Sequence, residues 1–213
     1  MGPSTDWHAW HQEYDDPGSD LSRRRRSVQE QIEAWLDLRQ DETLRAVSAC
    51  SGTGLDLLEV LARRPRDAAR VHARLIELDD GLAGSAESYA AAHGLGGVDV
   101  LRADAGITDS YAGAVPADLV MMCGVFGNIS DDDLLETVRM LPAMCAPRAT
   151  VIWTRGRHES DLAPTIAGWF ADSGFEEVAM DMPADTTYRV GVHRLVGPNR
   201  EMPTGITCFT FER

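Results

Sequence analysis

The sequence lacks the features of a secreted, membrane or metal-binding protein. Its 213 residues contain four cysteines, with no Cys-x-x-Cys pair and no histidine nearby at metal-ligand spacing. The N-terminus has neither the basic start nor the apolar run of a signal peptide, and no later stretch approaches a membrane span. We therefore expect buried thiols in a reducing compartment, no metal site and a cytoplasmic protein.

Positive charge is also scarce. The chain has 20 lysines and arginines against 34 acidic residues, which gives a formal net charge of −14. Such a field repels phosphate backbones and anionic lipid, so we expect neither nucleic acid nor a membrane as a partner. With 44% apolar residues, the chain is long enough to bury a full hydrophobic core.

The stretch 44–61, LRAVSACSGTGLDLLEVL, organises the chain. An apolar run, a small-residue turn and leucines at helical spacing predict a strand, a tight loop and a helix. The turn at residues 51–54 has almost no side-chain bulk, so a ligand can approach its backbone and the unpaired N–H groups of the helix N-terminus. We predict the ligand site at this turn.

Strand-like and helix-like segments alternate after this stretch. The further strand-like runs lie at 71–78, 98–103, 118–123, 150–154, near 175–182, at 188–196 and at 206–211. Helical patterns separate the earlier runs, whereas the last three have no helix between them. The alternation predicts an α/β fold with a doubly wound, Rossmann-like, mostly parallel sheet that ends in an antiparallel strand, with its ligand at the carboxyl ends of the strands.

The N-terminal segment is rich in aromatic residues. Trp7, Trp10, His11 and Tyr14 precede a helix that Ser19 or Asp20 caps and that ends near residue 40. We divide the chain into an arm and helix at 1–40, which form a lid, and a Rossmann-like domain at 41–213. His11 and Tyr14 are candidates for a ligand pocket, and the tryptophans alternatively fasten the arm to the domain surface.

Polar residues follow successive predicted strands. Glu77 ends the second strand and Asp104 ends the third. A carboxylate ending the second strand of such a sheet can accept both hydroxyls of a ribose, and one ending the third can accept from an adenine amino group. Each acid alone could simply end a strand or cap a helix, but two of them beside a Gly-x-Gly turn form a more specific pattern.

The chain from residue 44 onwards resembles the class I S-adenosylmethionine-dependent methyltransferases. The resemblance rests on VSACSGTGLDLL, LIELDDGLAGSA, LRADA and ADLVMMCGVF. The arm pattern Trp-His-x-x-Tyr followed by Asp-Asp-Pro is similar to that of a set of small bacterial methyltransferases. The resemblance implies a seven-stranded sheet with an antiparallel last strand, and S-adenosylmethionine as the cofactor.

The resemblance also implies a set of cofactor contacts. It assigns Glu77 to the ribose and Asp104 with Ala105 to the adenine, and Leu78 is a further candidate for the cofactor site. Around the methionine portion the resemblance implies Cys50, Ser51, Gly52, Thr53, Gly54, Cys123 and Gly124, and we add Tyr14 of the arm as a further cofactor contact. The family pattern usually has an acid and a glycine where this chain has Ser48 and Cys50.

The implied reaction is an in-line displacement on a small-molecule acceptor. The groups we place around the acceptor are His11, Tyr14 and Asn128 as catalytic residues and Phe126, Asn128, Arg155 and His158 as substrate contacts. Arg155 and His158 would hold an anionic acceptor or, alternatively, belong to a solvated loop, and we expect His193 to be structural. The sequence leaves the oligomeric state open.

Two other functions use the same sequence features. A nicotinamide-dependent oxidoreductase would also use the glycine turn and Glu77, but its fingerprint needs a third glycine at the position of Leu57 and has no role for Asp104. A noncatalytic protein could keep the cofactor pocket and act by binding a partner.

Overall fold

A seven-stranded sheet organises the part of the chain that the computed structural model describes, residues 16, 18–156 and 162–212. The strands are β1 (Leu44–Ala49), β2 (Val71–Glu77), β3 (Val98–Arg102), β4 (Ala117–Met122), β5 (Cys145–Gly156), β6 (Phe175–Asp181) and β7 (Tyr188–Leu195). Their order in the sheet is β3-β2-β1-β4-β5-β7-β6. Only β7 runs antiparallel to its neighbours among these strands. The predicted α/β sheet with an antiparallel last strand is thus confirmed.

Helices connect most of the strands. They are α1 (Asp20–Leu38), α2 (Leu55–Arg63), α3 (Pro65–Ala68), α4 (Asp80–Ala92), α5 (Asp131–Met144), α6 (Ala163–Asp172) and a 3-10 helix at Thr108–Tyr111. Ser19 begins α1 as predicted, because its hydroxyl accepts from the N–H of Ser22, and Ser130 begins α5 in the same way by accepting from the N–H of Asp133. Within the described ranges, no helix combines the length and apolarity that crossing a membrane requires.

Two apolar clusters cover the two faces of the sheet. One includes Val28 and Ile32 of α1 together with Leu57 and Leu61 of α2, and all four are at most 1% exposed. The other includes residues of α5 and α6, among them the fully buried Phe170. Because α1 packs in the same cluster as α2, it shares the core of the sheet.

The run at 206–211 does not form the strand that we predicted. Within the described residues, its β pairing is one isolated antiparallel bridge between Thr207 and Ile107, which lies in the loop after β3. Residues 205–212, which we call the C-terminal strap, lie over a face of the sheet and bury Cys208 and Phe209 in the second apolar cluster. The prediction was wrong because an apolar segment that covers a sheet face shows the same composition as a strand within the sheet.

Candidate active site

The turn after β1 has the backbone that its small residues predict. Cys50, Gly52 and Gly54 have φ values of 48°, 56° and 68°, all in the left-handed region. The N–H of Gly54 donates to the carbonyl of Ser51 at 2.9 Å. A Cβ at Gly54 would lie 2.6 Å from Cδ1 of Leu75, so both the φ value and the close packing require glycine there.

Cys50 occupies a left-handed position where the resemblance leads us to expect glycine. An L side chain in this conformation is strained, which explains why glycine suits the position. The thiol is half-buried, and its pKa is raised by burial and by the nearby carboxylates of Glu77 and Asp104. The turn and both strand-end acids are therefore close together, as predicted.

Glu77 is held against the turn. Its carboxylate accepts from the N–H of Gly52 at 2.7 Å through Oε2, and from the N–H of Asp79 at 2.9 Å through Oε1. The residue is 9% exposed. Each oxygen keeps acceptor capacity beyond these two bonds, so the group can still accept hydroxyl donors. Leu78 follows it and is 69% exposed, which leaves an apolar surface beside the carboxylate.

The loop after β3 is fixed by contacts of its own. The carboxylate of Asp104 accepts from the N–H of Gly106 at 2.7 Å and remains exposed. Ala105 is buried, and its carbonyl accepts from the hydroxyl of Tyr111 at 2.7 Å. These contacts orient the Asp104 side chain at the same edge of the sheet as Glu77.

The loop after β4 depends on a threonine that the sequence analysis missed. Gly124 has a φ of 79°, and its N–H donates to Oγ1 of the buried Thr154 at 2.8 Å. Cys123 beside it is half-buried, and burial raises the pKa of its thiol. A hydroxyl residue at the end of the neighbouring strand was the only sequence signal for Thr154.

Asp56 is a second residue that the sequence analysis missed. It lies in the first turn of α2, and burial raises the pKa of its carboxyl, while Arg24 and Arg25 of α1 act in the opposite direction. Asp56 also raises the pKa of Cys123, so these groups lie near the methionine end of the predicted cofactor site. Its place in the first turn, where the helix dipole favours an acid, could have drawn attention to it.

Two predicted substrate contacts, Phe126 and Arg155, also make contacts within the protein. The ring of Phe126 is 0% exposed and packs 5.6 Å from the ring of Trp153. Arg155 donates to the Phe126 carbonyl at 2.6 Å and to Asp131 at 3.2 Å, and its side chain is 14% exposed. The Phe126 ring therefore belongs to the core, and the Arg155 guanidinium holds the loop after β4.

Asn128 keeps a place at the edge of the site. Its Nδ2 donates to the carbonyl of Gly124 at 2.7 Å, which fixes the orientation of the amide. Its Oδ1 makes no hydrogen bond with any residue in the described ranges, so this oxygen can accept from a ligand. His11, Tyr14 and His158, the other candidates for this part of the site, lie outside the described residues.

His193 is structural, as predicted. Its Nδ1 accepts from Nε1 of Trp153 at 3.1 Å, and its ring stacks on Phe170 with centroids 3.9 Å apart. Burial lowers the pKa of the imidazole to about 4, so the ring is neutral near neutral pH.

No protein-family model matches the sequence, and no curated protein matches it. The structure is nevertheless similar to solved methyltransferases. The similar structures include magnesium protoporphyrin IX methyltransferase from Synechocystis PCC 6803 with bound S-adenosylmethionine, at a TM-score of 0.69 and 16% identity over 90% of this chain and 92% of that one.

Two further structures extend the comparison. One is an O-methyltransferase family protein from Burkholderia thailandensis, at a TM-score of 0.61 and 17% identity over 85% of this chain. The match spans only 58% of that protein's length. The other is a S-adenosylmethionine-dependent methyltransferase from Aquifex aeolicus, at a TM-score of 0.55 and 12% identity over 79% of this chain and 89% of that one. The chain therefore has the Rossmann-like fold of the class I S-adenosylmethionine-dependent methyltransferases.

Proposed function

We propose that this protein binds S-adenosylmethionine at the carboxyl edge of its sheet and transfers the methyl group to a small-molecule acceptor by in-line displacement. The observation that carries this proposal is the buried carboxylate of Glu77, which two backbone N–H groups hold beside the glycine turn. The fold likeness supports the reaction class, since one similar methyltransferase holds this cofactor.

The residues at the turn fit such a cofactor. The hydroxyl of Ser51 is buried and makes no hydrogen bond with any residue in the described part of the chain. Buried polar atoms are normally hydrogen-bonded, so an orphaned hydroxyl at this turn is consistent with a site built for a polar ligand. The left-handed Gly52 and Gly54 keep side chains away from the same space.

Three side chains would hold the nucleoside part. Glu77 would accept from the ribose hydroxyls, the exposed Asp104 from the adenine amino group, and Leu78 would pack its exposed surface on the ring. The residues proposed around the methionine part are Cys50, Ser51, Gly52, Thr53, Gly54, Cys123 and Gly124, with Ala105 beside the adenine.

When bound, the cofactor supplies an electrophilic methyl group on a sulfonium. Asn128 would orient the acceptor, because its free Oδ1 can accept from an acceptor N–H or O–H. Arg155 acts as a positioning residue that holds the loop after β4 through the Phe126 carbonyl. Exclusion of water from the site would complete the arrangement.

The arm completes this proposal. We place His11 and Tyr14 over the acceptor as part of a lid formed by residues 7–20, which α1 anchors to the core through Val28 and Ile32, with His11 as a base if the acceptor arrives protonated. His158 would contact an anionic acceptor. A small-molecule acceptor, the absence of nucleic acid and membrane partners and a cytoplasmic location stay predictions from the sequence.

Calorimetry with S-adenosylhomocysteine tests the cofactor site. Glu77→Gln keeps the shape of the side chain but removes its charge, and should weaken binding roughly ten- to a hundredfold because hydrogen bonds to a charged acceptor are strong. Glu176→Gln is the matched control, since Glu176 pairs with Arg194 on the surface of β6 and β7. The affinity of Glu176→Gln for S-adenosylhomocysteine should equal that of the wild type.

Two results would contradict the proposal. Binding of NAD without binding of S-adenosylhomocysteine would indicate an oxidoreductase, although Leu57 fills the position of the third glycine and is 1% exposed. Binding of S-adenosylhomocysteine with no methyl transfer to any oxygen, nitrogen or sulfur acceptor would favour the noncatalytic alternative.

A further inference from the structure

The C-terminal strap covers part of a sheet face that the short connection between β3 and β4 does not cover. That connection contains only the four-residue 3-10 helix Thr108–Tyr111. After β7 the chain passes the end of α5, where the N–H of Arg200 donates to the carbonyl of Pro142 at 3.1 Å. From there it returns across the face of the sheet towards the carboxyl edge.

The first end of the strap binds the loop that carries Asp104. The N–H of Cys208 donates to the carbonyl of Gly106 at 2.7 Å, and the N–H of Thr108 donates to the carbonyl of Ile206 at 2.9 Å. A Cβ at Gly106 would lie 2.2 Å from the carbonyl oxygen of Phe209. The strap and this loop are therefore in close backbone contact.

The other end of the strap binds the loop that carries Asn128. The N–H of Thr210 donates to Oδ2 of Asp133 at 2.9 Å, and the N–H of Glu212 donates to the carbonyl of Asn128 at 2.9 Å. The strap thus links the loop after β3 with the loop after β4, so it borders both the adenine side and the acceptor side of the proposed site.

Phe211 lies at the acceptor end of the strap. Phe209 is 3% exposed in the core, and the ring of Phe211 lies 6.0 Å from it. Phe211 packs against the same apolar cluster but is only half-buried, so part of its surface stays accessible. It directly precedes Glu212, whose N–H holds Asn128.

We propose that the C-terminal strap forms one wall of the acceptor site and that Phe211 presents an aromatic surface to the acceptor. This rests on the proposed function and makes it more specific. Asn128 binds a polar atom of the acceptor through Oδ1, and Phe211 packs on its apolar part. Because aromatic rings pack well on flat groups, the acceptor carries a planar, apolar group beside its nucleophile.

Fluorine NMR on the full chain tests this wall. The five phenylalanines are replaced by 4-fluorophenylalanine, and single Phe→Leu variants assign the signals. The protein is saturated with S-adenosylhomocysteine and titrated with 2-naphthol, a flat aromatic alcohol. The Phe211 signal should shift, whereas the signal of the buried Phe209 should stay in place.

Affinity gives a second readout. Phe211→Ala should weaken 2-naphthol binding about three- to tenfold through the lost ring contact, and leave binding of S-adenosylhomocysteine within about twofold. Ile206→Ala is the matched control, since Ile206 is 43% exposed at the other end of the strap. If the alanine variant does not fold, Phe211→Leu keeps the apolar packing and removes the ring.

The outcomes separate the two proposals. If S-adenosylhomocysteine binds but 2-naphthol does not bind, or binds without shifting the Phe211 signal, the strap proposal is overturned and the proposed function stands. If S-adenosylhomocysteine itself does not bind, the proposed function is overturned and the strap proposal with it.

Discussion

The two halves of the carboxyl edge are built differently. The cofactor half comprises the loops after β1, β2 and β3, and the acceptor half comprises the loops after β4 and β5. In the cofactor half, backbone N–H groups hold Glu77 and Asp104: each acid accepts from the residue two positions later, and Glu77 also accepts from Gly52 in the turn after β1, 25 residues earlier. In the acceptor half, Arg155 reaches back to Phe126 and Asp131, which lie 24 or more residues earlier in the chain.

This difference separates what local sequence patterns can and cannot reveal. A turn with glycines at set positions defines its own backbone, so the acids beside it point where the pattern indicates. A polar or aromatic side chain after a strand has several possible partners, and only the neighbouring elements decide among them. Phe126 was expected to contact substrate, but its ring is 0% exposed in the core, and Arg155 donates to the Phe126 carbonyl.

The largest expected effect concerns the cofactor half. Gly54→Ala should lower the free energy of unfolding by about 2–4 kcal/mol, because the left-handed φ at this position strains an L residue and the new Cβ would lie 2.6 Å from Leu75. Urea unfolding measures it. Gly84→Ala is the control, since Gly84 lies in α4 with open space around it. This variant should raise the free energy of unfolding by up to about 1 kcal/mol. Equal stability of the two variants would contradict the packing of this turn.

Arg155→Ala tests the internal role of the acceptor half. It should lower the free energy of unfolding by about 1.5–3 kcal/mol, because the Phe126 carbonyl loses a charged donor. Arg194→Ala, which removes a more exposed ion pair with Glu176, should cost at most about 1 kcal/mol. If Arg155→Ala costs no more than this control and instead weakens binding of anionic acceptors, Arg155 contacts substrate after all.

The core beneath the two halves should lose stability in mild acid, because His193 is buried within β7. Burial lowers the pKa of His193 from 6.5 to about 4, so between these values the unfolded chain binds a proton that the folded protein does not. Stability is unaffected above pH 6.5 and falls as the pH falls towards 4, by about 2 kcal/mol at pH 5. Urea unfolding at pH 7 and 5 should show this loss in the wild type but not in His193→Gln, and equal losses would refute it.

The smallest expected loss of stability is that of Gly124→Ala in the acceptor half, compared with Gly54→Ala in the cofactor half. Gly124 has a φ of 79°, but a Cβ there would meet nothing within 4 Å. Gly124→Ala should therefore cost only about 1 kcal/mol, from the left-handed backbone alone. A loss as large as that of Gly54→Ala in urea unfolding would mean that both turns are equally crowded.

Much of the fold followed from local patterns. The leucines at 57, 58 and 61 predicted the buried face of α2, and all three are at most 1% exposed. Ser19 marked the start of α1, because its hydroxyl satisfies an N–H group that the helix leaves unpaired. The segment 206–211 was misassigned, because its apolar residues do not indicate whether they join the sheet or cover it.

The sequence by itself determined the alternation of strands and helices, the glycine turn and the two acids beside it, because spacing and small residues act on the local backbone. Only the tertiary structure decided that Cys50 adopts a left-handed conformation, that Thr154 holds Gly124, and that the strap reaches Asn128. The contacts of Thr154 and of the strap join segments that are distant in the chain. They depend on how the sheet places its neighbours, which no local pattern encodes.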